Sequence, residues 1–164
     1  MEITLEQLLK SRDDRAARQA VLLKENPSLT LLGLTVIMPG PEKRSDRSRR
    51  IAAEAVAAVR GAFSPQFEEL RDLETGYEGY FLVEDLPLSA KRKAAAIEDT
   101  HPLGRLFDLD VITPDGPVPR SAIGAPERRC LLCERPARLC MREHRHSYSE
   151  LLASIDALLN APRS

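Results

Sequence analysis

Residues 101–116 read HPLGRLFDLDVITPDG. The His101-Pro102 pair ends any preceding helix, and Pro114-Asp115-Gly116 makes a turn. The apolar, β-branched run between them predicts a strand over 104–113. In such a strand alternate side chains share a face, which places Leu106, Asp108, Asp110 and Ile112 on one side and Arg105, Phe107, Leu109 and Val111 on the other. Two carboxylates in a half-buried strand must be paired, protonated or bound to a cation.

Outward from that strand, the pattern alternates. LSAKRKAAAIEDTH predicts a helix over about 88–99. Residues 65–73 and 77–84 predict two strands joined at Thr75-Gly76. SDRSRRIAAEAVAAVRGAF predicts a helix over about 46–61, with Ser45 as N-cap and Gly61 near its end. A buried strand over 29–38 is stopped by Pro39-Gly40-Pro41. Residues 3–25 carry apolar residues at helical spacing behind a Thr4/Gln7 capping box, and the spacing lapses near Ser11, where a break is expected. The order strand, helix, strand, strand, helix, strand predicts an α+β fold with a ferredoxin-like split βαβ core and a mixed or antiparallel sheet. The alternative is an α/β nucleotidyltransferase palm, which likewise presents an Asp-x-Asp strand beside helices. With right-handed crossovers, the first and third strands are central and the fourth lies antiparallel beside the first.

A length of 164 residues suits a single domain, here 1–164, with its core in about 28–114 and a Cys-rich helical appendage in about 128–160. Charge is balanced, 24 Lys and Arg against 25 Asp and Glu, so nothing global marks a nucleic-acid or membrane-surface binder. The N-terminus has no secretory apolar core, and no apolar run nears the roughly 18 residues of a membrane span. The expected setting is the cytoplasm. Three cysteines within 130–140 suit reduced thiols or metal ligands better than a disulfide framework.

Three groups of residues carry chemistry. Asp108 and Asp110, about 6–7 Å apart along the backbone, can converge on Mg²⁺, as in nucleotidyl transfer; a solvated sheet face is the plain alternative. PGPEKRSDRSRR offers Lys43, Arg44, Arg47, Arg49 and Arg50 at a helix start for a polyphosphate, or simply a basic helix end. Arg12, Arg15 and Arg18 recur on one helical face, as phosphate contacts or as a surface charge ladder. His101 can accept a proton from an incoming hydroxyl or cap its helix. Cys130-x2-Cys133-x6-Cys140 with His144 and His146 can close a tetrahedral zinc site, with Cys130, Cys133, Cys140 and His146 as the set, or can be packed thiols.

Taken in order, SRDDRAARQ, TVIMPGPEKRS, EDTHPLGRLFDLDVITPDG and RRCLLCERPARLCMREHRH resemble the holo-citrate lyase synthase family, also called apo-citrate lyase phosphoribosyl-dephospho-CoA transferase, over about residues 11–160. Phe107 stands where relatives carry tryptophan. The resemblance implies a transferase that takes 2'-(5''-triphosphoribosyl)-3'-dephospho-CoA, attaches its phosphoribosyl-dephospho-CoA part to a serine of the citrate lyase acyl carrier subunit, and releases pyrophosphate. No nucleophile is then needed in the enzyme itself. In that chemistry Asp108 and Asp110 hold Mg²⁺, Arg105, Lys43, Arg12 and Arg15 neutralise phosphates beside Gly104 and Ser45, and His101 helps deprotonate the serine. An acidic carrier calls for a basic docking face, for which Arg128, Arg129, Arg135, Arg138 and Arg142 are the candidates. The competing class is an RNA- or protein-binding module with a zinc-stabilised appendage. Only 4% aromatic residues and no Trp argue against a base-stacking sheet, for which Tyr77, Tyr80 and Phe81 are the available rings.

Overall fold

The computed structural model describes residues 1–162, so the last two positions of the expected 1–164 unit lie outside it. Helix α1 (Leu5–Glu25) begins at Thr4, whose hydroxyl accepts from the Gln7 N–H while the Gln7 side chain accepts from the Thr4 N–H. It runs unbroken through Ser11, correcting the expected interruption. Strand β1 (Thr30–Val36) leads to α2 (Asp46–Phe63), whose N-cap Ser45 exchanges side-chain bonds with Ser48. A hairpin of β2 (Phe67–Leu73) and β3 (Gly76–Val83) turns at Gly76, where φ is +128°, a conformation that costs glycine little. Helix α3 (Pro87–Thr100), with Pro87 in its first turn, precedes β4 (Phe107–Thr113) and the two-residue β5 (Gly116–Pro117). The chain ends in α4 (Ala137–Glu143) and α5 (Tyr148–Asn160).

The strands form one sheet in the order β2-β3-β1-β4-β5, with every pairing antiparallel. β4 therefore lies beside β1, with Phe107 opposite Val36 and Ile112 opposite Leu31. Because side chains alternate, the sheet has two unlike faces. Leu32, Leu34, Phe81, Phe107, Leu109 and Val111 meet Ile51, Ala55 and Val59 of α2, Ala90 and Ala94 of α3, and Ile155 of α5 in the main core. Each fully buried Leu, Ile, Phe or Val there stabilises by about 1.5–3 kcal/mol. On the other face Leu31, Tyr80, Leu82 and Ile112 pack with Leu22 and Leu23 of α1 in a smaller cluster.

The strand expected at 104–113 is shorter. Residues Gly104–Leu106 form a 3₁₀ turn, with Leu106 N–H donating to Leu103 O. A period-2 count cannot cross that turn. Leu106 accordingly enters the main core rather than sharing the aspartates' face, and Arg105 leaves the strand altogether. None of the helices among the described residues is long and apolar enough to cross a membrane.

Candidate active site

β4 alternates as the period predicts, with Phe107, Leu109 and Val111 buried and Asp108 and Asp110 half-buried on the α1 face. Asp110 stands opposite Gly33 and Asp108 opposite Thr35, whose hydroxyl lies 3.5 Å from Asp108 Oδ2. A Cβ on Gly33 would meet the Gln19 side chain at 3.4 Å, so α1 passes close over this part of the sheet. Burial, and then the charge of Asp108, push the Asp110 carboxyl up to about 6. Arg128 Nη1 is 3.9 Å from Asp108 Oδ1, at the limit of ion-pair range. The two carboxylates are thus neighbours on one face, and the closer contacts of Arg128 go elsewhere.

A third carboxylate shares that face. Glu78 on β3 is paired across β1 with Thr35, which places Glu78, Thr35 and Asp108 in one row across the sheet. Glu78 is buried and accepts from Tyr80 Oη at 2.7 Å, Arg15 Nη1 at 3.3 Å and Ser11 Oγ at 3.3 Å. Burial pushes the Tyr80 hydroxyl far above its ordinary value. The sequence signal for Glu78 was a lone acid inside the otherwise apolar YEGYFLV, two residues before a tyrosine able to reach it. Arg15 comes from α1 to the same face, whereas Arg12 is exposed and Arg18 makes a two-pronged pair with Glu69.

Other expected contacts lie elsewhere. Lys43 donates to Met38 O at 2.6 Å, and burial lowers the pKa of its ammonium. Ser45 is spent on its cap. Arg44 pairs with Asp72 and Glu74, Arg47 with Asp156, and Arg49 with Asp46 and Asp72, while Arg50 donates to Leu159 O. In this loop Arg44, Arg47 and Arg49 have carboxylate partners, while Lys43 and Arg50 bond backbone carbonyls. His101 packs on the Phe107 ring at 4.8 Å, accepts from Leu103 N–H through Nδ1 and faces Glu54 of α2. Phe107 points into the main core, on the face of β4 opposite to Asp108 and Asp110. Gly104 is demanded by sterics, because a Cβ there would collide with the carbonyls of Ile97 and Glu98. Arg105 donates to Cys130 O at 2.9 Å and pairs with Glu134. The expected basic docking face is likewise largely compensated: Arg135 pairs with Glu143, Arg138 with Glu127, Arg129 donates to Glu134 O, and Arg128 turns inward. Tyr80 and Phe81 are fully buried and unable to stack on bases.

Cys130, Cys133, Cys140 and His146 bring one ligand atom each to within 4.8 Å of one another. Cys133 and Cys140 sulfurs are 3.5 Å apart, near the roughly 3.8 Å spacing set by bonds of about 2.3 Å to one tetrahedral ion. The backbone N–H of Arg135 draws the Cys133 thiol down to about 6, while burial holds Cys140 up at about 11. Leu132 N–H points at Cys130 Sγ at 3.4 Å. His146 Nε2 is buried with no hydrogen-bond partner, and Nδ1 lies 3.8 Å from Glu150 Oε2. A buried imidazole nitrogen left without a partner beside three thiols fits a metal ligand. The cluster can hold a soft-ligand metal ion.

Comparison with known proteins places the chain in a family. The family model for apo-citrate lyase phosphoribosyl-dephospho-CoA transferase matches residues 3–161. Proteins of that name from Escherichia coli (strain SMS-3-5 / SECEC), Shigella boydii serotype 18 and Escherichia coli O157:H7 are each 39% identical over 164 residues, covering 96% of this chain and 89% of theirs. The class is therefore that of group transferases. The chain belongs to the apo-citrate lyase phosphoribosyl-dephospho-CoA transferase family.

Proposed function

We propose that the protein transfers the phosphoribosyl-dephospho-CoA group of 2'-(5''-triphosphoribosyl)-3'-dephospho-CoA to a serine of the citrate lyase acyl carrier subunit, in the cytoplasm, with release of pyrophosphate. The observation that carries the reading is the placement of Asp108 and Asp110 side by side on the α1 face of β4, in a chain of this family. The carrier serine attacks the α-phosphorus; its P–O bond forms as the bond to the β-phosphate oxygen breaks. Pyrophosphate leaves with that electron pair, and the hydroxyl proton is released to water. A polyanion resists attack, so neutralisation of charge on the triphosphate must lower most of the barrier. Asp108 and Asp110 would hold Mg²⁺, which supplies that neutralisation when bound. Arg15, with Arg12 one turn earlier on α1, is the cation best placed to add to it. Glu78, itself held by Tyr80 and Ser11, orients Arg15 for that task.

The single domain is read as a ferredoxin-like βαββαβ plait, on the strength of its strand order, its antiparallel pairings and its two crossover helices. The Cys₃His cluster is read as structural zinc. The direct test is the intact mass of apo carrier subunit incubated with the protein, the triphosphoribosyl precursor and Mg²⁺. A gain equal to the transferred group is expected, abolished by EDTA or by changing the carrier serine to alanine. An unmodified carrier under saturating precursor and Mg²⁺ overturns the proposal.

A further inference from the structure

Strand β4 has an incomplete outer edge. β5 pairs with Ile112 and Thr113 only, and Val118 N–H adds a bond to Val111 O. On that outer edge the end that carries Asp108 has no neighbouring strand among the described residues, and unpaired edge groups are costly when water is excluded from them. Two side chains take the place of the strand. Arg128 Nη1 donates to Phe107 O at 2.6 Å, and Nη2 reaches Gly104 O at 3.2 Å and Arg105 O at 3.4 Å. Glu98 Oε2 accepts from Leu109 N–H at 2.9 Å and from Arg128 Nη1 at 2.8 Å, while its Oε1 accepts from Arg120 at 2.7 Å. Glu98 is 3% exposed, so its full set of partners is what makes its burial tolerable.

Arg128 itself is held by the Cys-rich segment. Ala137 N–H donates to Arg128 O and Cys130 N–H to Arg135 O, and Arg129 bridges Pro136, which closes a short hairpin around Cys130 and Cys133. A second link runs the other way, from Arg105 in the turn before β4 to the carbonyl of Cys130. This segment buries little of its own: Cys130 and Cys140 are its buried apolar residues, and Leu131 touches the main core. So small an apolar contribution does not fix a hairpin, whereas a metal bound by four ligands does.

We infer that the Cys130–Cys133–Cys140–His146 centre holds Arg128 against the Gly104–Leu109 segment, and grips that segment's own Arg105 through the Cys130 carbonyl, which makes Arg128 a positioning residue for Asp108. The centre is thus a strut for the strand that carries the aspartate pair, not only a staple of the C-terminal appendage. The turnover half of this inference rests on the transfer reading above; the structural half does not.

The test uses the full chain purified with Zn²⁺, then stripped with a chelator and reloaded with Zn²⁺ alone. Amide exchange of the 104–109 segment, read by mass spectrometry, should accelerate at least about tenfold on stripping, while the central β1 and β3 peptides stay protected. Reloading should reverse it. Carrier modification should fall about 10- to 100-fold in step, the range typical of lost outer-shell support. Arg128→Lys, which keeps the charge but loses the planar fork, should reproduce the turnover loss in kcat with its zinc content intact. Unchanged exchange in 104–109 after complete zinc removal overturns the inference, as does wild-type kcat in Arg128→Lys. If wild type leaves the carrier unmodified while exchange still responds to zinc, the transfer reading fails and the strut stands.

Discussion

Asp110→Asn should make the protein more stable and inactive at once. The Asp110 carboxyl is pushed from 3.8 to about 6 by burial and by Asp108. The folded state therefore binds this proton more tightly than the unfolded chain does. Above about pH 6 the group is ionised in both states and folding carries the full penalty; below about pH 4 it is protonated in both and the penalty is gone. A displacement of that size corresponds to about 3 kcal/mol. Because Asp110 is itself only partly buried and solvent also screens Asp108, the penalty is about 1–2 kcal/mol. Asparagine keeps the shape and removes the charge. Urea unfolding at pH 7.5 should give a gain of about 1–2 kcal/mol, with Tm raised by about 2–8 °C, and the gain should vanish by about pH 4. Loss of stability at pH 7.5, or a gain that does not depend on pH, would refute the reasoning.

The same proton competes with a divalent cation, so Mg²⁺-dependent carrier modification should fall as pH drops through about 6, and added Mg²⁺ should move the midpoint lower; a rate independent of pH from 5 to 8 counts against it. Glu98→Ala removes a buried acceptor shared by Arg120, Arg128 and Leu109 N–H, and should cost about 3–5 kcal/mol in a denaturant titration. Ser45→Ala should cost about 1 kcal/mol through its lost helix cap and leave the KM for the precursor unchanged, because the hydroxyl is committed to Ser48. A raised KM at intact stability would restore Ser45 as a substrate contact.

Much of the fold was legible because its signals are local. The Thr4/Gln7 and Ser45 caps, the Gly76 turn and the apolar runs of β1, β3 and β4 each act within a few residues. The alternation of β4 was enough to place Asp108 and Asp110 together. What escaped was whatever depends on residues distant in the chain. Arg44, Arg47 and Arg49 look like free cations until Asp72, Glu74 and Asp156 fold against them. Glu78 gains meaning only when α1 brings Arg15 and Ser11 over the sheet, and Arg128 only when the Cys-rich hairpin returns it to the edge of β4. His101 lies close before the aspartates in the sequence, but it packs on Phe107, whose side chain is on the opposite face of β4.

The central claim is that Asp108 and Asp110 act together on the triphosphate, and single-turnover carrier modification by wild type, Asp108→Asn and Asp110→Asn, followed by intact mass at saturating Mg²⁺, tests it most directly. The account predicts a loss of at least about a hundredfold in each variant, with unfolding midpoints no lower than wild type for Asp110→Asn. Near-wild-type modification by either properly folded variant would contradict it.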